Sequence, residues 1–197
     1  VIGCDIDPHK LELLKNGVAT KSVAELSALL AFPDRRVRLA AQFELGARGE
    51  QGRTALEAVA KRGTDLRARL HGVWGLGVAA RRQSGADPSA LLALLVDAEP
   101  ELRAQAARVL GDLREKRAFP ALLARTTDAS PRVRMFAAIA LGRIGNPSAL
   151  QALLQLVRET KDEDPVLRHA AIFGLAGSQR PEALVKLADD TDAHVRL

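Results

Sequence analysis

S-P-R-V-R-M-F-A-A-I-A-L-G-R-I-G-N, residues 130–146, is the stretch from which the rest of the chain can be read. Val133, Ala137 and Leu141 stand four apart, which puts them on one face of a helix; a strand would need a period of two. Ser130-Pro131 supplies a cap followed by a first-turn proline. Aligned on Arg134, the same unit recurs with an arginine at Arg38, Arg69, Arg103, Arg168 and, truncated, Arg196, so neighbouring copies lie 31 or 34 residues apart, and 28 in the last step. One place before the arginine stand Val37, Ala68, Leu102, Leu167 and Val195, and seven places after it Leu45, Leu76, Leu110 and Leu175. Gly46, Gly77, Gly111 and Gly142 follow those leucines, with Ala176 in the fifth copy, which reads as a packing and helix-end feature. A period of this length marks a helical repeat array, each unit burying its apolar face against the next.

Composition agrees. Of 197 residues 47% are hydrophobic while aromatics make up 3% and tyrosine is absent, which suits helices packed closely through small side chains. No run of eighteen apolar residues occurs, so no membrane span is expected. Cys4 is the single cysteine and excludes an internal disulfide. The formal charge of +5 is concentrated in residues 1–90, with 14 Lys/Arg against 10 Asp/Glu; residues 91–197 have 15 against 14. That tilt permits an acidic partner without requiring one. The sequence begins at Val1 and stops inside a repeat at Leu197, so we expect a piece of a longer protein.

Residues 1–21 do not fit the repeat and are expected to be a linker from a preceding domain. Residues 22–197 form the repeat domain, counted as one array. Its second helices are expected near 33–47, 65–82, 100–113, 131–144, 165–176 and 193–197. Each is preceded by a first helix: Ser22 with Glu25 as a capping box, then residues 54–62, 89–96, 118–126, 148–159 and 182–188. The fold class is all-α, a right-handed superhelix of about five and a half helical pairs, of the HEAT and armadillo type.

The pattern P-x-V-R-x-x-A-A-x-A-L-G, with Asp97, Asp128, Asp162 and Asp190 six residues before the arginine, resembles the short HEAT-like repeat of phycocyanobilin lyases over residues 22–197. Repeats one and two carry Phe32 and Gly63 in the acidic slot. The resemblance implies a hydrogen-bonded ladder between repeats, with Arg103, Arg134 and Arg168 joined to Asp97, Asp128 and Asp162. Residues 22–26, 36–43 and 69–77 are similar to the HEAT region of large secreted or membrane-bound dehydrogenase-like, haem-binding proteins of planctomycetes. This second resemblance implies that any redox chemistry belongs to other domains and that the location is periplasmic or secreted.

On a wheel of 100 degrees per residue, the places two before, one after and five after the arginine lie opposite the partner helix, which in a solenoid is the concave face. They carry Leu39, Phe43, Leu70, Trp74, Met135, Ile139 and Phe173, with Arg36, Arg67, Arg132 and nearby Arg143 at the rim. An apolar row edged by arginine fits protein docking. The other reading is that adjacent second helices bury the same row. Catalytic constellations are lacking: His9, His71, His169 and His194 have no metal-ligand spacing with Cys4 or each other, so no metal and no cofactor are expected. The expected function is a non-catalytic scaffold that docks a protein or another domain of the same chain. Nucleic-acid binding through the arginines and a lyase-like enzyme handling a bilin are the alternatives, the latter resting on repeat resemblance alone.

Overall fold

The computed structural model describes residues 17–83, 86–160 and 163–196. No strand occurs among them. The chain divides into two compact units, residues 1–87 and 88–197.

In the first unit α1 (Val23–Leu29) packs on α2 (Arg35–Ala47), α3 (Gly49–Arg62) on α4 (Leu66–Arg82), and α2 lies against α4. Ser22 caps α1 through a reciprocal pair: its hydroxyl accepts the Glu25 N–H at 3.2 Å and the Glu25 carboxylate accepts the Ser22 N–H at 2.7 Å. Two boundaries differ from the sequence reading. α2 starts at Arg35 and not at Pro33, because Asp34 takes the cap position and its carboxylate accepts the Arg36 N–H at 2.8 Å. α3 starts at Gly49 and not at Thr54. Gly49 has a φ of +58°, so the chain reverses within a residue of α2 and helix resumes at once.

The second unit pairs α5 (Ser89–Leu94) with α6 (Pro100–Asp112), α7 (Phe119–Arg125) with α8 (Pro131–Ile144), and α9 (Leu150–Thr160) with α10 (Pro165–Ser178), followed by α11 (Pro181–Val185). α6, α8 and α10 pack side by side and each begins with its proline in the first turn. The helix expected at 193–197 is absent among the described residues. Asp192 instead closes a single turn, its carbonyl accepting the Val195 and Arg196 N–H groups and its carboxylate the His194 N–H.

The core is what the period predicts. Val37, Leu102, Val133 and Leu167 before the arginines, and the leucines seven places after them, are buried. Each fully buried leucine contributes about 1.5–3 kcal/mol relative to exposure. Gly46, Gly111 and Gly142 serve close helix contact: a Cβ added to Gly46 would lie 2.7 Å from a Val78 methyl, one added to Gly111 2.7 Å from the Ala140 Cα, and one added to Gly142 2.8 Å from the Gly174 Cα. We expect Gly142→Ala to destabilise by about 2 kcal/mol, since overpacking outweighs the helix propensity gained, about 1 kcal/mol. Urea unfolding followed by circular dichroism checks it; a stabilised variant would show that α8 and α10 can move apart freely.

Candidate functional site

The repeat arginine sits one place past a buried apolar residue, so its stem leaves the core beside the turn that precedes its own helix. In four copies the same guanidinium nitrogen, Nη1, donates to that turn's backbone. Arg38 reaches the Phe32 and Pro33 carbonyls (both 2.7 Å), Arg103 those of Asp97 and Ala98 (2.8 and 3.1 Å), Arg134 those of Asp128 and Ala129 (2.9 and 3.4 Å), and Arg196 those of Asp190 and Thr191 (2.9 and 3.2 Å). A carbonyl is present whatever the side chain, which is why Phe32 can occupy the slot that holds aspartate elsewhere. Arg69 is the variant: its Nε donates to the Ala60 carbonyl at 2.9 Å.

The other edge of the guanidinium reaches forward into the next repeat. Arg103 grips the Asp128 carboxylate with two bonds, at 2.9 and 2.8 Å, and Asp128 also accepts Arg125 Nη1 at 3.3 Å and the Ser130 N–H at 3.0 Å. Burial alone would raise the Asp128 pKa; the Arg103 and Ser130 hydrogen bonds and the charges of Arg103 and Arg125 outweigh it and hold the group below the usual carboxylate range. Asp97 gives Arg103 its carbonyl, while its carboxylate accepts the Glu99 N–H. Arg168 donates to the His194 carbonyl at 3.3 Å, and Asp190 accepts from Arg158 at 2.9 Å. Asp162 lies outside the described residues, as do Cys4, His9 and Leu197.

In the first unit the acidic slots hold Phe32 and Gly63, and a joint that the sequence reading missed takes the acid's place. Arg38 Nε donates to His71 Nε2 at 3.1 Å, which fixes the neutral tautomer with the proton on Nδ1, and Nδ1–H donates to Gln42 Oε1 at 2.7 Å. His71 and Gln42 are both buried, and the Trp74 ring stands edge-on to the imidazole at 5.0 Å. Burial, then the charges of Arg38 and Arg35, push the His71 pKa down to about 4. A signal was there: Gln42 is polar where the other copies carry Val73, Ala107, Ala138 and Ile172.

The docking residues proposed from the wheel fall on both units. Phe43 is 51% and Phe173 45% exposed, whereas Leu39, Leu70, Trp74, Met135 and Ile139 are half-buried. All four rim arginines already face carboxylates: Arg36 with Asp34 (3.0 Å), Arg67 with Asp65 (3.4 Å), Arg132 with Glu101 (2.7 Å), and Arg143 with Asp112. The last two pairs bridge α6 and α8 and depend on helix register, so sequence spacing does not reveal them. Arg132 also lies over the Phe136 ring at 5.1 Å. Among the described residues no group of three or more His, Cys, Asp or Glu could hold a metal ion, and no helix is long and apolar enough to cross a membrane.

Comparison with known proteins places the fold. The sequence model of HEAT repeats matches residues 88–164, which begin with the second unit and contain the turns of Asp97 and Asp128. A chain from the complex of CpcE and CpcF of phycocyanin lyase from Nostoc sp. PCC7120 is similar at TM-score 0.59 and 22% identity, over 89% of this chain and 73% of that one. The designed armadillo repeat protein YIII(Dq)4CqI is similar at TM-score 0.51 and 20% identity, over 89% and 95%. A search of curated proteins finds no match. The fold is all-α, of the HEAT and armadillo type. The resemblance to planctomycete dehydrogenase-like proteins has no counterpart in these matches.

Proposed function

We propose that the chain is a non-catalytic docking scaffold, binding a protein or another domain of its parent through the apolar side chains on the side of the second helices turned away from their partner helices, the expected concave face. The observation that carries this is the pair Phe43 and Phe173, large rings about half exposed at the same place in two repeats. Burying a phenylalanine side chain contributes about 1.5–3 kcal/mol, and the fold leaves much of that unused here. The rigid helical scaffold beneath supports the reading, because a preformed surface loses little conformational freedom on binding. A nucleic-acid reading has less support, since Arg132 and Arg143 are paired across helices with Glu101 and Asp112 and the row between the arginines is apolar. The likeness to a phycocyanin lyase chain, at 22% identity, speaks to fold and not to chemistry.

Peptides selected from a displayed random library on the wild-type chain test the proposal. They should bind Phe43→Ser or Phe173→Ser at least about tenfold more weakly, the loss of about 1.4 kcal/mol. Selected peptides that bind both variants as tightly as wild type would overturn it. Both rings are exposed, so the variants retain the core.

A further inference from the structure

The two units treat the charge on their docking rows differently, and the difference bears on what each can bind. In the second unit the rim arginines are closed off by carboxylates from a neighbouring helix, Glu101 to Arg132 and Asp112 to Arg143, so the row between α6 and α8 carries pairs of opposite sign. In the first unit the place of Arg132 is held by Arg36 and Arg67, whose side chains are 66% and 60% exposed, while the place of Arg143 is held by Ala47 and Val78. Among the described residues each arginine pairs with the capping aspartate two residues before it, and those carboxylates are also engaged by backbone N–H groups, Asp34 by that of Arg36 and Asp65 by that of Ala68. α4 adds a third cation. Taking Leu70 as zero on a wheel of 100 degrees per residue, Arg81, Trp74 and Arg67 fall at about 20, 40 and 60 degrees, so one narrow stripe runs arginine, leucine, tryptophan, arginine. Arg81 is exposed and meets no carboxylate among the described residues.

Resting on the docking reading above, we infer that this face of α2 and α4 takes an amphipathic helical segment whose apolar side packs on Phe43, Leu70 and Trp74 and whose flanking side chains are Asp or Glu. The apolar row supplies contact area, and the arginines at both ends of α4 fix the sign of the partner and its register. Arg36 and Arg67 stand in the first turn of their helices, where the helix dipole also favours an anion. A guanidinium already sharing a carboxylate still has free N–H donors for a second. A basic segment would meet like charge at Arg36, Arg67 and Arg81, and the two nearby carboxylates, Asp34 and Asp65, are already shared with Arg36, Arg67 and backbone N–H groups.

The test uses two synthetic amphipathic peptides with the same Leu and Phe face, one with Glu and one with Lys at every other position, and follows Trp74 fluorescence, Trp74 being the only tryptophan. At low salt the Glu peptide should bind at least about tenfold more tightly than the Lys peptide, and the gap should shrink as salt rises. Arg67→Ser with Arg81→Ser should remove most of the discrimination. Phe43→Ser should weaken the Glu peptide, leaving the preference for it intact. Equal affinity for the two peptides, or a preference that survives loss of both arginines, overturns the charge inference while apolar docking stands. Failure of both peptides to bind overturns this inference and removes the docking reading from the first unit. A short DNA duplex that binds more tightly than the Glu peptide and is lost with the same arginines also overturns it, in favour of phosphate recognition.

Discussion

Asp128→Ala should lower stability by about 3–5 kcal/mol, among the largest losses available from one substitution in the second unit, because it breaks a buried ion pair and leaves the other charge behind. The Asp128 side chain is 4% and Arg103 13% exposed. Removing the carboxylate strips two bonds from Arg103, one from Arg125 and the Ser130 N–H acceptor at the start of α8. Arg103 keeps its carbonyl bonds to Asp97 and Ala98 but has no anion for its remaining edge. The contrasting case is Arg132→Ala, which breaks a pair that is 53% and 30% exposed; it should cost less than about 1 kcal/mol. Urea unfolding of both variants by circular dichroism separates the cases. Losses of equal size would show that the Arg103–Asp128 pair is no more than another surface contact. The pH dependence has a definite sign. The Asp128 pKa is lower folded than unfolded, so its contribution is whole above the ordinary aspartate value near 4 and is lost as pH falls through the folded value. Between pH 5 and 8 it should not vary.

The helices were legible because their cause is local. A buried side chain every four residues, a capping acid or serine and a proline in the first turn are properties of one segment, and α6, α8 and α10 begin at Pro100, Pro131 and Pro165. The misplaced boundaries share a different cause. Gly49 takes a left-handed conformation that no spacing reveals, and Asp192 draws residues 192–196 into a turn although Val195 and Arg196 match the repeat. The candidate site divides in the same way. That the row beginning with Leu39 and Phe43 faces away from the partner helix follows from the wheel alone. That Arg132 meets Glu101 depends on how α6 and α8 slide along each other, which no single repeat encodes. The arginine itself was misleading in an instructive way. Its recurrent partner is a backbone carbonyl, so scanning the acidic slot alone hides that Arg38 makes the same bond beside Phe32. What an absent acid does change is the forward partner, and Gly63 in that slot goes with an imidazole taking the place of a carboxylate.

That imidazole should make the first unit sensitive to acid in a range where Asp128 is not. Nε2 of His71 accepts from Arg38, so a proton there removes the acceptor and sets two cations in contact inside a packed joint with Gln42 and Trp74. The groups that face the ring with charge are Arg38 and Arg35, both cationic, and neither can compensate. With a folded pKa of about 4 against about 6.5 unfolded, the unfolded chain binds the extra proton first, so stability is whole above pH 6.5 and falls as pH drops toward 4. The loss should reach about 2 kcal/mol at pH 5 and about 3 kcal/mol below the folded value. Trp74 lies against the ring and reports on this unit alone, so urea midpoints from its fluorescence at pH 7.5 and pH 5 measure the effect directly. His71→Gln keeps a neutral hydrogen-bonding side chain at the joint and cannot titrate; its two midpoints should agree within about 0.5 kcal/mol. A wild-type midpoint that does not move between these pH values would mean that the folded joint accepts a proton as readily as the unfolded chain. Arg38 would then have to swing away from His71 at little cost, against its two further bonds to the Phe32 and Pro33 carbonyls. Such a result would reassign Arg38 from a bridge between repeats to a clamp on its own turn.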